Sequence, residues 1–477
     1  MTTAATAGTD SENRMGKHDK YWISDWHPDD AEFWSKTGRK IARRNLLWSI
    51  VAEHIGFSVW LIWSVVTTRL PKLGFHYSTD QLFNLVALPG LIGALMRFPY
   101  TFAVPKFGGR NWTIVSAALL LIPTTFVALL VTRPSTPYWL MALAAATAGL
   151  GGGNFASSMA NISFFFPDRE KGFALGLNAA GGNIGVSTVQ LLIPIALGWP
   201  VLNLFMGTPQ GPQHVYLQNA GLFFFPLIAV AVYGAARYMN NLTSARSSFK
   251  DQLMVARSKD TWVMAWLYIG TFGSFIGYSA AFPLLLKTQF PEVGANLAFL
   301  GALVGSVARP LGGKLADRIG GARLTLWNFV AMGLLTFGAM RFVHAHSFPG
   351  FLMMFLLLFV TTGIGNGSTF RMIPVIFRKK ALRAVEGRGP AAEKEALALA
   401  RRRSAAVLGM TSAIGACGGY LIPRSFGASI KATGGAEMAL MAFVAFYATC
   451  VVMTWVFYAR RRGGAAVAGP QLAEVRV

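Results

Sequence analysis

Apolar residues along the chain fall into long runs that short polar stretches separate. A run of about 20 apolar residues is long enough to cross the hydrocarbon core of a bilayer as a helix. The pattern predicts twelve such spans in two sets of six. The first set, spans 1 to 6, covers 45–68, 79–103, 112–132, 138–163, 172–197 and 220–239. The second set, spans 7 to 12, covers 261–286, 294–313, 324–342, 351–376, 405–429 and 436–459.

The polar stretches divide the chain into five parts. We predict a cytoplasmic N-terminal tail, a six-helix half, a cytoplasmic linker, a second six-helix half and a cytoplasmic C-terminal tail, over 1–44, 45–240, 241–260, 261–459 and 460–477. The first part contains no apolar core segment, so we expect no signal peptide there. Its aromatic residues, from Tyr21 to Trp34, are expected either at the membrane interface or in a partly ordered tail.

Composition and charge agree with a helical membrane protein. The 477 residues are 53% hydrophobic and only 13% charged, about half the charged fraction of soluble domains. The net charge of +23 would suggest a nucleic-acid partner in a soluble protein, but the Lys and Arg residues concentrate in alternate loops. Such loops face the cytoplasm, so both termini are predicted to be cytoplasmic. Cys417 and Cys450 lie in apolar runs and match no metal or disulfide pattern.

The loop after span 10 is the most basic, with nine Lys and Arg residues from Arg378 to Arg403. Within it, Glu393 to Arg403 are predicted to form a short helix on the membrane surface. We interpret this loop as a solvated segment that fixes the topology. A regulatory partner for it is the alternative.

An internal repeat relates the two sets of spans. Three features recur at a spacing of 212 residues: Arg97 and Arg309, Gly108-Gly109 and Gly320-Gly321, and Asn154 and Asn366. In spans 5 and 11 the repeat continues at a spacing of 233 residues, with Gly176 equivalent to Gly409. One register shared by an arginine, a turn and an Asn-Gly motif indicates two related halves. The sequence therefore predicts an all-α membrane protein built from two pseudo-symmetric six-helix halves.

Four ionisable residues lie deep in the predicted spans: Glu53, His54, Arg97 and Arg309. A charge at the bilayer centre costs about 3 kcal/mol or more, so such residues are candidates for function. The repeat places the two arginines opposite each other across a central cavity, with only Glu53 available to neutralise them. Each guanidinium fork can donate two parallel hydrogen bonds, so the pair predicts a site for a small flat oxyanion. Alternatively, each arginine snorkels to the cytoplasmic surface.

Several motifs resemble those of a known family. The twelve-span layout and the loop Gly313 to Gly321 resemble the major facilitator superfamily, in which this loop latches helices on the cytoplasmic side. Two longer stretches resemble the nitrate signatures of its nitrate/nitrite porter family: Gly151 to Pro167 the first and Gly363 to Pro374 the second. Trp26 to Trp34 resembles the N-terminal motif of that family. The signature positions that we interpret mainly as helix packing are Gly151, Gly153, Asn154, Gly363, Gly365 and Asn366.

The resemblance implies how the anion is held. Arg97 and Arg309 would clamp it. Phe155 and Phe272 would form walls above and below the flat ion. The expected substrates are nitrate and nitrite.

The resemblance also assigns polar neighbours to the anion. Tyr268 and Asn183 would each donate a hydrogen bond, and Asn178 is a weaker candidate for the same role. Arg371 occupies a position that the second signature leaves open. We expect its side chain to snorkel to the basic cytoplasmic loop.

Proton coupling is predicted from span 1. A buried glutamate beside a histidine, as in Glu53-His54, can exchange a proton near neutral pH. This segment resembles the nitrate/proton symport branch of the family rather than the nitrate/nitrite exchange branch. The alternative is that Glu53 lies near the cytoplasmic end and forms a salt bridge with a basic neighbour.

The sequence therefore predicts a secondary transporter that moves nitrate, and nitrite as a further substrate, by alternating access across the cytoplasmic (inner) membrane. Nitrate/proton symport is preferred to nitrate/nitrite antiport. Two other hypotheses remain: a nitrate-binding membrane sensor and a related facilitator for another organic anion or a drug. We expect no enzyme activity, cofactor, metal or nucleic-acid partner, and a protein that works in the lipid bilayer as a monomer.

Overall fold

The computed structural model describes residues 21–200, 215–245 and 255–460. Spans 1 to 6 comprise Arg39–Trp60 with Ile62–Val66, Thr79–Phe107, Gly109–Ala118 with Leu121–Leu130, Tyr138–Thr147 with Gly149–Phe165, Asp168–Ala196, and Asn219–Leu222 with Phe224–Tyr238. Spans 7 to 12 comprise Lys259–Tyr268 with Ile269–Gly273 and Ser274–Gln289, Phe299–Ile319, Gly321–His344, Phe348–Ala384, Pro390–Ala416 with Gly418–Thr433, and Glu437–Thr454 with Trp455–Ala459. The outer parts of both predicted tails and part of the linker lie outside the described residues.

The helices agree with the predicted pattern of spans. Within the described residues, ten helical stretches are long and apolar enough to cross a membrane. Spans 4 and 8 are the two that fall outside this group, and both carry glycine and polar residues along their length. Together they give two sets of six helices around a largely apolar core.

The helix that contains span 1 begins before the predicted start at residue 45. The Oδ1 atom of Asp30 accepts hydrogen bonds from the backbone N–H groups of Glu32 (2.8 Å) and Phe33 (3.0 Å), which caps a helical segment at Ala31–Phe33. A π-helical turn, Trp34–Gly38, then leads into span 1. The prediction placed the start too late because it followed hydropathy, whereas Lys and Arg are good helix formers.

Span 11 also begins earlier than predicted. The segment from Glu393 to Arg403 is not a separate surface helix but part of the continuous helix Pro390–Ala416. Gly389, with φ of 87°, precedes this helix, and no proline interrupts it after Pro390. The residues in between are mostly Ala, Leu, Glu, Lys and Arg, which all favour a helix, so nothing ends the helix at the membrane surface.

The N-terminal aromatic residues pack against protein rather than the membrane interface. Trp26 and Trp34 are 7% and 1% exposed and belong to a small apolar cluster with Phe165 and Phe166. The indole N–H of Trp26 donates to the Phe164 carbonyl oxygen (3.1 Å). A buried indole N–H needs an acceptor, and the last turn of span 4 supplies it.

A short parallel sheet joins the N-terminal segment to the stretch after span 6. Strand β1, Trp22–Ile23, pairs with strand β2, Asn241–Leu242. The side chain of Asn241 in turn accepts a hydrogen bond from the backbone N–H of Arg110 at the start of span 3 (2.9 Å). The chain therefore closes one end of the first half with its own N-terminal segment.

Both described chain ends, Tyr21 and Arg460, lie on one face of the helical domain, which we call the terminal face; the opposite face is the far face. The two halves contact each other closely on the far face. There the Nη1 atom of Arg424 pairs with the Oδ1 atom of Asp80 at 2.9 Å. The glycines of this interface are also tight, since a Cβ on Gly90 would overlap the backbone of Gly419 in the other half.

The halves are more loosely joined on the terminal face. Among the described residues, one ion pair links them there, from Arg401 Nη1 on span 11 to Asp168 Oδ2 on span 5 at 2.6 Å. Glycines near this face have open space beside them: a Cβ on Gly172, Gly176 or Gly313 would meet no atom within 4 Å. The conformation is thus closed at the far face.

Candidate functional site

Arg97 on span 2 is fully buried at the centre of the molecule, with 0% exposure. Its Nε atom donates to the carbonyl oxygen of Gly152 at 3.1 Å. Its Nη1 atom crosses to the other half and donates to the carbonyl oxygen (2.8 Å) and the hydroxyl (2.6 Å) of Ser412. Its Nη2 atom has no hydrogen-bond partner among the described residues. The arginine is held in place by two bonded nitrogens, and one remains available.

Arg309 on span 8 is buried as well, at 4% exposure. Its guanidinium carbon lies 5.6 Å from the ring centres of both Phe155 and Phe370. Its Nη1 atom has no hydrogen-bond partner within the described part of the chain. Neither Arg97 nor Arg309 snorkels to the surface, so that alternative is wrong.

The Phe155 ring lies between the two arginines. Its centre is 4.7 Å from the guanidinium carbon of Arg97 as well as 5.6 Å from that of Arg309. The electron-rich faces of aromatic rings attract cations, which reduces the cost of burying two positive charges in apolar surroundings. Phe272, 4.8 Å from the guanidinium carbon of Arg97, contributes in the same way.

The two phenylalanine rings do not leave a slot for a flat ion between them. The ring centres of Phe155 and Phe272 are 5.8 Å apart at an interplanar angle of 24°. A planar ion between two parallel rings would need about 7 Å, twice a van der Waals contact of about 3.5 Å. In this conformation the rings pack against each other, and their arrangement above and below the ion stays a prediction.

Tyr268 and Asn183 lie on spans 7 and 5 with their polar atoms unsatisfied. Tyr268 stacks on Phe272 with ring centres 5.4 Å apart, and its buried hydroxyl lies beside Arg309 but makes no hydrogen bond of standard geometry in the described structure. Both arginines act electrostatically on this hydroxyl. The amide nitrogen and oxygen of Asn183 are also buried without a partner in the described ranges. An unsatisfied buried polar group costs about 1–3 kcal/mol, which favours a ligand that fills these hydrogen bonds.

Asn178 has a different partner from the one expected. Its Nδ2 atom donates to Oε2 of Glu53 (2.7 Å) and to the Ser158 hydroxyl (2.9 Å). The Ser158 hydroxyl itself donates to the same Oε2 atom. The expectation that Asn178 serves the anion directly is therefore replaced by a role in holding the span 1 carboxylate.

Glu53 is fully buried and faces the arginines. Both Arg309 and Arg97 act electrostatically on its carboxylate, although no basic side chain in the described residues contacts it directly. Its Oε1 atom has no hydrogen-bond partner there. The alternative of a salt bridge near the cytoplasmic end is thus wrong.

His54 is separated from this group. Its Nδ1 atom lies 2.9 Å from the carbonyl oxygen of Gly181, to which it can donate. Consecutive residues on a helix point in directions about 100° apart, because a turn contains 3.6 residues. Of the two coupling candidates, the structure brings only Glu53 to the arginines.

The signature glycines pack helices together. A Cβ on Gly151 would overlap the carbonyl oxygen of Gly56, and one on Gly363 would overlap that of Gly305. A Cβ on Gly153 would lie 2.8 Å from the Tyr100 ring, which is also too close. These contacts agree with packing rather than anion binding.

The remaining signature positions have a similar environment. A Cβ on Gly365 would lie 2.5 Å from Nδ2 of Asn328. The side chains of Asn154 and Asn366 are buried, with no hydrogen-bond partner for either amide atom in the described ranges. Their hydrogen-bonding role stays a prediction.

Substitution of one packing glycine tests this interpretation. Gly363→Ala should lower the melting midpoint of the detergent-purified protein, since overpacking against a backbone carbonyl costs about 1–3 kcal/mol. Gly313→Ala is the matched control, because a Cβ there meets no atom within 4 Å. Equal midpoints for the two variants would contradict the packing role.

Arg371 does not snorkel into the basic loop as expected. Its Nε atom pairs with Oδ1 of Asp317 at 2.6 Å, which ties span 10 to the end of span 8. Asp317 belongs to the loop motif from Gly313 to Gly321. The equivalent loop of the first half lacks this acidic residue. There the Nη2 atom of Arg110 on span 3 donates to the carbonyl oxygen of Ala236 on span 6 at 2.7 Å.

Two serines of the site were missed in the sequence. Ser158 lies one helical turn after Asn154 in the first signature, so the two side chains share one face of span 4. This spacing could have identified Ser158 as a site residue from the sequence. Ser412 carried no signal, because its contact with Arg97 joins residues 315 positions apart and uses a backbone carbonyl oxygen as well as the hydroxyl.

Comparison with known proteins gives the family. The model of the Major Facilitator Superfamily matches residues 53–388. The nitrate/nitrite transporter NarU of Escherichia coli (strain K12) is 44% identical over 455 residues, which cover 94% of this chain and 98% of NarU. The chain belongs to the nitrate/nitrite porter family of this superfamily. A further relative of this porter, the probable nitrate/nitrite antiporter NarK2 of Thermus thermophilus, is 36% identical over 92% of this chain and 97% of its own length.

Solved structures support the fold of this porter. A variant of the nucleoside transporter NupG gives a TM-score of 0.57 at 12% identity and covers 86% of this chain and 99% of its own. A bacterial homologue of the lysosomal transporter Spinster gives 0.56 at 14%, over 88% and 97%. At such identities the likeness shows the fold alone. The predicted family and the all-α facilitator fold are confirmed.

Proposed function

We propose that this protein transports nitrate and nitrite across the inner membrane by alternating access. The observation that carries the proposal is the pair of buried arginines, each with a guanidinium nitrogen that no described residue satisfies. Two positive charges in apolar surroundings require an anion, and two planar forks suit a flat oxyanion. NarU, 44% identical to this chain, is named as a nitrate/nitrite transporter.

Arg97 also links anion binding to the movement of the halves. It lies in the first half but donates two hydrogen bonds to Ser412 of the second half. An anion that takes up hydrogen bonds from this guanidinium competes with the contact between the halves. The expected consequence is that binding and release of the anion change the relative stability of the two orientations.

The proposal also covers the orientation of the protein in the membrane and the bounds of its parts. The terminal face is cytoplasmic, because basic residues concentrate there. The two halves span 45–240 and 261–459, with a linker over 241–260 and cytoplasmic tails over 1–44 and 460–477. One chain contains both arginines, so the functional unit in the bilayer is a monomer. Transport involves no catalytic step.

For coupling, we prefer nitrate/proton symport. The buried Glu53 carboxylate lies within the electrostatic reach of both arginines, and a carboxylate can carry a proton through the cycle. In a site with two arginines and no acidic group, the empty form would carry both charges uncompensated, which favours obligatory exchange. The antiporter name of the Thermus thermophilus relative supports the alternative, nitrate/nitrite antiport.

Reconstituted proteoliposomes test this function. We expect an inward pH gradient to drive nitrate uptake with no nitrite or nitrate inside. Uptake that requires internal nitrite at every pH gradient would refute symport and support antiport. Liposomes without protein, and excess external nitrite as a competitor, serve as controls.

A further inference from the structure

The repeat places a second pair of residues in equivalent positions on spans 1 and 7. A Cβ on Gly93 would lie 2.6 Å from Nε1 of Trp60, and one on Gly305 would lie 2.9 Å from Cε2 of Phe275. Gly93 and Gly305 are 212 residues apart, as are the two arginines. Trp60 is therefore equivalent to Phe275, which sets a spacing of 215 residues between these spans.

The same spacing relates Glu53 to Tyr268. A Cβ on Gly182 would lie 2.5 Å from Oε1 of Glu53, and one on Gly415 would lie 2.5 Å from Cδ1 of Tyr268. These two glycines are 233 residues apart, which is the spacing of the repeat between spans 5 and 11. Both pairs of contacts thus place the glutamate where the second half has the tyrosine.

Resting on the proposed function, we propose that Glu53 is a ligand of the anion in the same sense as Tyr268. Its protonated carboxyl group donates a hydrogen bond from Oε1 to an oxygen of nitrate, and one proton travels with each nitrate. The Oε1 atom is suited to this, since Asn178 and Ser158 bond only Oε2.

The net charge of the site is the same in its empty form and in its nitrate-bound form. In the empty site, the Glu53 carboxylate offsets one of the two arginine charges and leaves one net positive charge. When nitrate binds, a proton neutralises the carboxylate and the anion takes its place, so the site again has one net positive charge. The proton enters and leaves with nitrate, and the pair crosses as a neutral unit.

Within the described part of the chain, few other titratable groups face the Glu53 carboxylate. Arg97 and Arg309 act on it from spans 2 and 8, and the Tyr268 hydroxyl lies near both of them. His54, on the same helix, bonds the carbonyl oxygen of Gly181 instead. The charged residues of the neighbouring spans 3, 5 and 6 lie toward the terminal face: Arg110, Asp168, Arg169, Glu170, Lys171 and Arg237.

The stoichiometry can be measured on the unaltered protein. In proteoliposomes with the membrane potential set by potassium and valinomycin, one proton per nitrate predicts about tenfold accumulation of nitrate for each unit of pH gradient. The accumulation ratio should not change with the potential, because the transported pair is neutral. A ratio that depends on the potential would overturn the proposal.

The variant Glu53→Gln separates the ligand role from the proton role. Glutamine keeps a hydrogen-bond donor but cannot release a proton. We expect nitrate/nitrate exchange to stay within about threefold of the unaltered protein and pH-driven accumulation to fall at least tenfold. Glu386→Gln is the matched control, since Glu386 is exposed on the terminal face; it should leave both activities unchanged.

The outcomes distinguish this inference from the proposed function. Full pH-driven accumulation of nitrate by Glu53→Gln would overturn the role of Glu53. Loss of nitrate exchange would also overturn it, provided that the variant elutes from a size-exclusion column at the same volume as the unaltered protein. Exchange without any pH-driven uptake in the unaltered protein would overturn it together with symport. A lack of nitrate flux in both assays would overturn nitrate transport itself.

Discussion

Arg97→Lys should reduce the apparent affinity for nitrate at least 100-fold. Arginine uses Nε to bond Gly152 and Nη1 to bond Ser412, and Nη2 is available to an anion. A lysine has one nitrogen and cannot reproduce this planar fork. Hydrogen bonds to charged groups contribute about 1.5–3 kcal/mol each, and about 2.7 kcal/mol corresponds to 100-fold.

The measurement is the concentration dependence of nitrate exchange in proteoliposomes that contain equal amounts of protein. Arg383→Lys is the matched control, because Arg383 is an exposed residue in the last turn of span 10. Near-normal affinity in Arg97→Lys would show that a point charge is sufficient. That result would exclude a requirement for the planar guanidinium fork while leaving transport in place.

The second large effect is expected at the N-terminal segment. Trp34 is 1% exposed, and its indole N–H donates to Oε1 of Glu170 on span 5 at 2.9 Å. Its ring also contacts Phe166, with centres 5.7 Å apart. Trp34→Ala should destabilise the first half by about 3–5 kcal/mol, since it leaves a large cavity and removes the indole hydrogen bond to Glu170.

A thermal melt of the purified protein in detergent tests this prediction. Trp139→Ala is the control, because Trp139 is 66% exposed and its removal leaves no cavity. Trp34→Phe should lie between the two, since it restores part of the packing but not the hydrogen bond. Equal midpoints for Trp34→Ala and Trp139→Ala would show that the N-terminal segment does not stabilise the helical domain.

The asymmetry between the two faces indicates which contacts change during transport. The far face is closed by the pair Arg424–Asp80 and by tight glycine contacts, whereas Arg401–Asp168 links looser ends on the terminal face. Exposed and half-exposed ion pairs contribute at most about 1 kcal/mol. Such weak links suit contacts that form and break in each cycle.

The order of spans could be predicted because it depends on local composition. Hydropathy located twelve spans, and the spacing of 212 residues was sufficient to pair Arg97 with Arg309. Helix ends were harder to predict. The starts of span 1 and span 11 lie in basic segments, where helix propensity and hydropathy give different boundaries.

Side-chain pairing could not be predicted from the same information. Asn178 was expected beside the anion, yet it bonds Glu53, 125 residues away. Arg371 was expected in the basic loop, yet it pairs with Asp317, 54 residues away. Each outcome depends on how helices rotate and approach each other, which the sequence pattern of a single helix does not specify.

The membrane class, the two related halves, the arginine pair and the family resemblance all follow from the amino-acid sequence, because periodicity, composition and motif spacing are properties of the chain. Three-dimensional packing was needed to show that Phe155 packs on Phe272, that Ser412 holds Arg97 and that Glu53 stands where the second half has Tyr268. The first two contacts cross the interface of the halves, and the third feature depends on contacts between spans within each half. Their geometry follows from the packing of helices at glycine positions, where distances of a few tenths of an ångström decide which side chains meet.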